Sequence, residues 1–332
     1  DPTDPDRFSE LDLVEREASY GRSQFNLQFQ LDTTLSDLER FPLRLNDLVV
    51  MEIKDHAPEK IVWSSGAEYR INDLPAVGFS GDYYHRPAFL HGDWLEFQGC
   101  VMHIDPSGKG ADETAYAIVA HLNGNLFVLE VGSFREGYTE KVLEGLAQAA
   151  KRQKVKLILL EDQFGQGMLA SLLQPYLRNI YPCTIEPTRS NVQKERRIIN
   201  ALEPVLNQHR LIMNRSVIEI DSKARENDPV EKALAYQLFH QLTHITVDKN
   251  CLQHDDRLDA LAGAVEYWNE SLAIDEDRAI KERESELWDL ELAAYKGEIE
   301  GALDAKILGI PLDQLQKTGK TGDGWFSLAG KH

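Results

Sequence analysis

The sequence predicts an α/β fold in which helices flank a mixed sheet. Two features favour this class: an Asn123-Gly124 pair between two apolar runs, and a later alternation of short apolar runs with longer amphipathic segments. An Asn-Gly pair in this setting is a strong signal for a β-hairpin. Strands that alternate with helices favour parallel pairing. We therefore expect an antiparallel meander on one side of the sheet and parallel strands on the other.

The elements can be assigned in chain order from the spacing of their apolar residues. The short run at 100–104 predicts a strand, and the runs at 113–121 and 125–131, on either side of Asn-Gly, predict the hairpin. After the hairpin, segments with apolar residues at helical spacing alternate with short apolar runs. They predict helices at 139–151, 167–179, 192–208, 229–241 and 255–270, and strands at 155–160, 182–186 and 211–213.

Composition limits the classes of protein to which the chain can belong. With 332 residues, 42% of them hydrophobic, it can bury a full core. Its formal net charge of -19 argues against a protein that coats nucleic acid, although a local basic groove is compatible with it. Three scattered cysteines argue against a disulfide scaffold and favour a reducing cytoplasm. The sequence shows neither an apolar run long enough to span a membrane nor a signal peptide.

The character of the sequence changes along the chain. We interpret residues 1–98 as a lead-in region, in which Ser23–Leu31 has the alternation of an edge strand. Residues 99–270 carry the α/β pattern, and residues 271–332 form an acidic helical tail with a flexible, Gly-rich end. Because the chain begins with Asp1 and not with Met, we expect it to be part of a longer protein.

Carboxylates stand in three places where packing explains them poorly. They are Asp105 at the end of the first apolar run, Glu161 after the run 155–160, and Asp255, Asp256 and Asp259 at the start of the last helix. Each has an ordinary alternative, a turn for a strand-end acid or a solvated face for the helix acids. The carboxyl ends of parallel strands line one edge of a sheet, where ligands bind. We therefore expect these acids to converge.

Converging carboxylates predict a metal-dependent site for phosphoryl transfer. Without cations between them, carboxylates this close repel one another and raise one another's pKa. Mg²⁺ and Mn²⁺ prefer oxygen ligands. Two such ions, about 3.5–4 Å apart, can activate a water and stabilise the leaving oxygen of a phosphodiester. We expect Asp105, Glu161 and one or more of the three helix acids to hold such ions.

Four segments of the chain together resemble the nuclease domain of tailed-phage large terminases, most closely the T7-like group. They are Asp105–Ala115, Leu160–Gly165, Lys194–Ile199 and His254–Ala262. Glu17–Phe29 is similar to the region that joins the ATPase motor to the nuclease in those proteins. The resemblance implies an RNase H-like fold. It also implies an endonuclease that cuts concatemeric viral DNA during genome packaging, with little sequence specificity.

The resemblance further implies ligands and partners. The implied catalytic residues are Asp105, Glu161 and either Asp259 or Asp256, and all four are implied metal ligands. Asp255 is a further candidate ligand on the helix, and Asp112 has the place of an auxiliary acid. The implied cofactor is a pair of Mg²⁺ or Mn²⁺ ions, and the implied substrate is double-stranded DNA in the cytoplasm of an infected bacterium. The implied partners are the portal, the small terminase subunit and the ATPase motor of the same polypeptide. Because only Thr318–Thr321 approaches a GxxxxGK[ST] motif, we expect no ATP hydrolysis by this chain.

Contacts with DNA need cations. The densest basic stretch near the predicted core holds Arg189, Lys194, Arg196 and Arg197, and a second basic run at 151–156 is an alternative. Two other functions stay open. A resolvase or transposase-type nuclease of the same fold would prefer branched DNA, and a portal-docking module would be inactive.

Overall fold

The computed structural model describes residues 40–106, 113–161, 167–190, 192–224, 226, 228–274 and several helical residues between 278 and 288. The chain divides into two units, residues 1–269 and 270–332, and the fold described below is that of the first. The predicted strand at Ser23–Leu31 lies outside the described residues, as does the tail from residue 289 onward. None of the helices in the described part of the chain is long and apolar enough to cross a membrane.

The described residues form eleven strands and seven helices in the first unit. The strands are β1 (Val49–Met51), β2 (His56–Val62), β3 (Arg70–Ile71), β4 (Tyr84–His85), β5 (Phe89–Glu96), β6 (Gly99–Asp105), β7 (Thr114–Leu122), β8 (Asn125–Phe134), β9 (Leu157–Glu161), β10 (Thr184–Thr188) and β11 (Leu211–Asn214). The helices are α1 (Glu140–Arg152), α2 (Met168–Ile180), α3 (Lys194–Asn207), α4 (Arg215–Ser222), α5 (Val230–Ala235), α6 (Leu238–His244) and α7 (256–269 within this unit).

Nine of the described strands form one mixed sheet in the order β10-β9-β6-β7-β8-β11-β1-β4-β3, and β2 pairs with β5 in a separate ribbon. The predicted mixed α/β class is confirmed. The hairpin turn is where the sequence predicted it, because Asn123 and Gly124 both have the positive φ (50° and 80°) that a two-residue turn requires. The meander β6-β7-β8 lies in the middle of the sheet, however, and not on one side, because β9 pairs parallel with β6 and β11 pairs parallel with β8.

Part of the region expected to be a lead-in is built into this sheet. β1 pairs parallel with β11, and β4 and β3 extend the sheet beyond β1. Val49 and Val50 are buried, so the short apolar run before residue 52 is a core strand. The sheet therefore begins well before residue 99.

Alternation along β6 divides its side chains between two faces. Met102 and Ile104 pack into the core with α1 and α2, whose contributions include Leu146 and Leu173. His103 points to the other face, where its ring lies against Gly263 of α7. Asp105 is two residues further on and shares that face. The strand-end acid is therefore on the side of the sheet that α7 covers.

Two glycines allow α7 to approach β6 closely. A Cβ on Gly263 would overlap the imidazole of His103, and a Cβ on Gly99 would overlap the indole of Trp268. The indole N–H of Trp268 also donates to the carbonyl of Val119 at 3.0 Å. The approach brings the first turn of α7 near the end of β6.

The structure differs from the predicted helices in two places. The helix expected at 229–241 is two helices, α5 and α6, because the carboxylate of Asp221 accepts the backbone N–H groups of Leu238 and Phe239 and so begins a new helix there. The helix α4 was not predicted. Its eight residues follow directly from β11, and Asn214 caps it by accepting the N–H of Ser216.

Candidate metal centre

Three carboxylates from distant parts of the chain meet at one point. Asp105 ends β6, Glu161 ends β9, and Asp259 lies in the first turns of α7. One oxygen from each lies within 4.8 Å of the other two. Asp259 has no solvent exposure and Glu161 is 4% exposed, so water does little to screen their charges from one another.

The sheet explains why the two strand-end acids are adjacent. β6 and β9 are parallel neighbours in which Ile104 pairs with Leu160, so the next residue of each strand, Asp105 and Glu161, lies at the same level. This is the convergence that the sequence predicted for parallel strands. Asp259 reaches the same point from α7, the helix that packs on the face of β6 that carries His103.

Lys194 lies among the acids. Its ammonium is 2.9 Å from a carboxylate oxygen of Asp259, 2.9 Å from Asp255 and 3.6 Å from Asp105. The side chain is 36% exposed, so the group borders solvent. Lys194 therefore supplies one positive charge at the mouth of the cluster, directly between two of the three carboxylates.

Arg197 lies one helical turn further along α3 and deeper in the protein. Its guanidinium forms an ion pair with Asp259, lies 3.8 Å from Glu161 and 3.5 Å from Glu266. The side chain is 6% exposed. A buried guanidinium between carboxylates offsets the cost of removing their charges from water. The sequence predicts a contact between Arg197 and DNA, but in the structure the nitrogens of Arg197 face the acids of the site.

Burial and nearby carboxylates raise the pKa of Asp105 well above its usual range. Burial is the largest cause, and the negative charges of Asp259, Glu161 and Asp256 act in the same direction, while the ammonium of Lys194 opposes them. The pKa of Lys194 is raised in turn, since the surrounding carboxylates favour its charged form more than burial disfavours it. The cluster thus holds more negative charge than its own cations neutralise.

The helix acids separate into three roles. Asp259 reaches the cluster, whereas Asp255 faces Lys194 and Asp256 accepts the backbone N–H of Glu113 at 3.3 Å. Asp112 lies outside the described residues. The residue pattern alone did not choose among the three helix acids, because they lie within five consecutive residues at the start of one helix.

Two side chains near the site were not among the predicted site residues. Glu266 pairs with Arg197 two helical turns after Asp259. Tyr138 follows β8, and the charge of Asp105 contributes to the raised pKa of its phenol, after the larger effect of burial. The seven-residue spacing from Asp259 to Glu266 was a usable signal, because residues seven apart share a helix face. The sequence around Tyr138 carries no comparable signal.

The other basic candidates occupy different positions. Arg189 directly follows Thr188, the residue of β10 that pairs with Glu161, and it is exposed beside the site. Arg196 is exposed on α3. The alternative run at 151–156 precedes β9, so it lies at the opposite end of that strand from Glu161. Proximity to the carboxylates favours Arg189 over the alternative run.

The donor set suits a divalent cation that prefers oxygen. Three carboxylates contribute hard ligands, and an octahedral ion about 2.1 Å from each oxygen spans about 4.2 Å between opposite ligands. The observed limit of 4.8 Å is only slightly larger. The set Asp105, Glu161 and Asp259 therefore has the chemistry and nearly the spacing of a metal site.

Comparison with known proteins agrees with this geometry. Residues 104–211 match the family model of the bacteriophage T7 terminase ribonuclease H-like domain. The chain carries a ribonuclease H-like domain of the T7 terminase type. The matched segment runs from the end of β6 to the start of β11 and includes Asp105, Glu161, Lys194 and Arg197. The RNase H-like class predicted from the sequence is thereby confirmed.

A relative supports the same assignment. The large terminase subunit of Enterobacteria phage T3 is 39% identical over 275 residues, which are 82% of this chain and 47% of the relative. The chain thus spans about half the length of that curated protein. Its terminase domain is shared with a whole subunit that is about twice as long.

Solved terminase structures are more distant. A human cytomegalovirus terminase nuclease domain soaked with Mn has 12% identity and a TM-score of 0.38, over 54% of this chain and 86% of that chain. The large terminase nuclease of thermophilic phage G20c has 11% identity and a TM-score of 0.34, over 52% of this chain and 86% of that chain. The assignment of the terminase domain therefore depends on the family model and on the phage T3 relative.

Proposed function

We propose that this domain is a metal-dependent endonuclease that hydrolyses phosphodiesters of double-stranded DNA during viral genome packaging. One observation carries the proposal: Asp105, Glu161 and Asp259 bring their oxygens within 4.8 Å of one another in a terminase nuclease domain. The cofactor is Mg²⁺ or Mn²⁺, held by these three residues. A pair of such ions supplies an activated water and stabilises the leaving oxygen.

The residues of the chain prepare this site. Asp105 and Glu161 present oxygens from two rigid parallel strands, and Asp259 closes the site from α7. Arg197 forms an ion pair with Asp259 and lies 3.8 Å from Glu161, so its buried guanidinium fixes the positions of both carboxylates. Lys194 lies at the solvent side, where its ammonium can meet a phosphate that approaches the carboxylates. Together they form a fixed anionic pocket that a cation must complete.

Contact with the DNA backbone is proposed for Arg189 and Arg196. Both are exposed, and Arg189 stands beside the strand position of Glu161. Lys194 and Arg197, which we also expected to contact DNA, are assigned to the carboxylates, although Lys194 can serve both roles. Arginines bind phosphates without reading the base sequence, so the proposed activity has little sequence preference.

The context of the reaction is also a proposal. The phage T3 relative is a large terminase subunit, and this chain spans about half of it. We assign the chain to the nuclease half of such a subunit, with an ATPase motor, a portal and a small terminase subunit as partners in the host cytoplasm. No GxxxxGK[ST] motif stands in the sequence, so the proposed chain does not hydrolyse ATP.

A plasmid-cleavage assay tests the function directly. Supercoiled plasmid is incubated with the protein in Mn²⁺, in Mg²⁺ and in EDTA, alongside Asp105→Asn. We expect relaxed and linear products with metal, none in EDTA, and none from the variant. Cleavage that persists in EDTA would exclude the mechanism. A substrate series of linear duplex, plasmid and four-way junction distinguishes a packaging nuclease from a resolvase, which would cut the junction selectively.

A further inference from the structure

Arg257 stands between two acids of the last helix, yet it faces away from the metal centre. It lies two residues before Asp259, which places it roughly 200° around the helix. The residue is 8% exposed, so its charge is buried. One terminal nitrogen donates to Asp221 at 3.0 Å, and the other lies 2.9 Å from the hydroxyl of Ser133 and 3.3 Å from Glu113. We call these four residues the Arg257 network.

The network is attached to the strands that carry the site. Asp105 of β6 pairs with Ala115 of β7, and Ala115 pairs with Ser133 of β8. The three residues therefore form one row across the sheet, about 10 Å long at the usual spacing of strands. Asp259 faces one end of this row and Arg257 is bonded to the other. The first turns of α7 therefore contact both ends of this row of paired strand residues.

Glu113 adds a second attachment. Its backbone N–H donates to Asp256 at 3.3 Å, and its carboxylate accepts from Ser133 at 2.6 Å and from Arg135 at 3.0 Å. Glu113 is 2% exposed and directly precedes β7. Asp256 and Arg257, adjacent on the helix, are therefore both tied to the same residue at the start of a core strand.

The type of side chain matters for this function. Arginine has a planar fork of donors, so it can bind two carboxylates and a hydroxyl at once in a fixed geometry. Lysine offers one small, mobile charge and cannot hold the same three groups together. Residues behind a metal ligand that orient it typically change metal affinity by about 10–100-fold when altered.

We infer that Arg257, through Glu113 and Ser133, positions Asp259 as the third metal ligand. The inference depends on the proposed metal-dependent function. Arg257 touches neither substrate nor cation in this arrangement. Its effect passes through the helix α7, whose register relative to β6 decides whether an Asp259 oxygen comes within coordinating distance of Asp105 and Glu161.

The test measures Mn²⁺ affinity separately from folding. Arg257→Lys is compared with Arg44→Lys, which alters another partly buried arginine, paired with Asp82 at 2.6 Å. Mn²⁺ dissociation constants come from calorimetry, and melting temperatures are measured in EDTA. We expect both variants to melt lower. Mn²⁺ binding should weaken about 10-fold or more in Arg257→Lys, and should stay within about twofold in the control.

A kinetic measurement adds a readout that lost stability alone would not move. Saturating Mn²⁺ should restore most of the cleavage by Arg257→Lys, because its ligands are intact but misplaced, and should not restore Asp259→Asn. Glu113→Gln serves if Arg257→Lys does not fold, since it keeps the volume and removes the charge that meets Arg257. We expect it to weaken Mn²⁺ binding severalfold.

The outcomes separate this inference from the proposed function. Wild-type Mn²⁺ affinity in Arg257→Lys, or in Glu113→Gln where the first variant does not fold, would overturn the positioning role even if wild-type protein cuts DNA. Wild-type protein that binds Mn²⁺ without cutting DNA would refute the proposed nuclease activity. The Mn²⁺ affinities of the variants would then still decide the positioning role. Wild-type protein that binds no Mn²⁺ would overturn both.

Discussion

Two clusters of buried charge lie on either side of the first turn of α7, and they differ in balance. The metal centre gathers Asp105, Glu161 and Asp259, with Asp255 at its edge, around Lys194 and Arg197. The Arg257 network, with Arg135, sets two positive charges against Glu113 and Asp221. The first cluster has acids in excess, while in the second each of the two buried acids has an arginine partner, and Arg135 also lies 3.8 Å from the more exposed Asp228.

This difference in charge balance distinguishes the metal centre from the Arg257 network, which has a structural role. A buried acid is stabilised by a cation at close range, and an excess of acids raises pKa values or attracts a metal ion. Asp105, in the first cluster, has its pKa raised by burial and by its neighbours. In the second cluster burial also raises the pKa of Asp221, but the guanidinium of Arg257 and two backbone N–H groups oppose that rise, so this cluster can serve as a rigid anchor. The helix α7 joins the two, and its residues alternate between them.

The largest effect should come from removing the ligands of the unbalanced cluster. Asp259→Asn, Asp105→Asn and Glu161→Gln should each reduce Mn²⁺-dependent cleavage by about a thousandfold, which corresponds to about 4 kcal/mol in the barrier. Asp255→Asn should cost only a few-fold, since Asp255 faces Lys194. Single-turnover rates on linear duplex would measure this ranking. Equal losses in Asp255→Asn and Asp259→Asn would contradict it.

The next largest effect should come from disturbing the close contact between β6 and α7, the helix that carries residues of both clusters. Gly263→Ala places a Cβ into the His103 ring, and such overpacking typically costs about 1–3 kcal/mol. Because α7 must shift, Mn²⁺ affinity should fall together with the melting temperature. Gly145→Ala is the matched control. Gly145 lies on α1, on the other face of the sheet, and its Cβ would lie 2.6 Å from the ring of Phe134.

A double variant sharpens this prediction. His103→Ala makes room for the added methyl group, so Gly263→Ala/His103→Ala should recover part of the lost Mn²⁺ affinity relative to Gly263→Ala. Purely additive losses in affinity would mean that the close approach of α7 to β6 does not set the position of Asp259.

A smaller effect should come from the cation that partly neutralises the unbalanced cluster. Lys194→Met removes an ammonium 2.9 Å from Asp259, so a metal ion no longer competes with it for that oxygen. We expect Mn²⁺ to bind on the order of tenfold more tightly, since the pair is partly exposed and its charge is partly screened. The melting temperature in EDTA should fall. Lys156→Met, at the other end of β9, should change neither quantity, and weaker Mn²⁺ binding in Lys194→Met would refute the competition.

The smallest effect is a pH dependence of stability that comes from Asp105 and that the Asp105→Asn variant isolates. Because the folded protein raises the pKa of Asp105 above its usual 3.8, this group stabilises the metal-free fold below that value. That stabilisation is lost as pH rises from 3.8 through the raised pKa. The wild-type melting temperature in EDTA should therefore fall relative to Asp105→Asn over this range, by about 2–4 °C for each kcal/mol. Mn²⁺ should offset the fall, and parallel curves for the two proteins would contradict the shift.

The strands and helices of the matched domain could be predicted because their signals are local. Asn123-Gly124 marked the hairpin, and Asp105 and Glu161 were recognisable because each ends an apolar strand. The break between α5 and α6 had no such signal. It depends on Asp221, whose carboxylate reaches the start of α6 from a helix that the sequence pattern did not reveal.

The chain by itself determined the residue types and the two strand ends, since periodicity and turn chemistry act over a few neighbouring residues. Only the tertiary structure distinguished among the helix acids, because three aspartates in one turn differ solely in what lies opposite them. Asp255 meets Lys194, Asp256 meets the N–H of Glu113, and Asp259 meets the strand-end acids. Those partners come from positions 61 to 154 residues away in the chain, where no local pattern can record them.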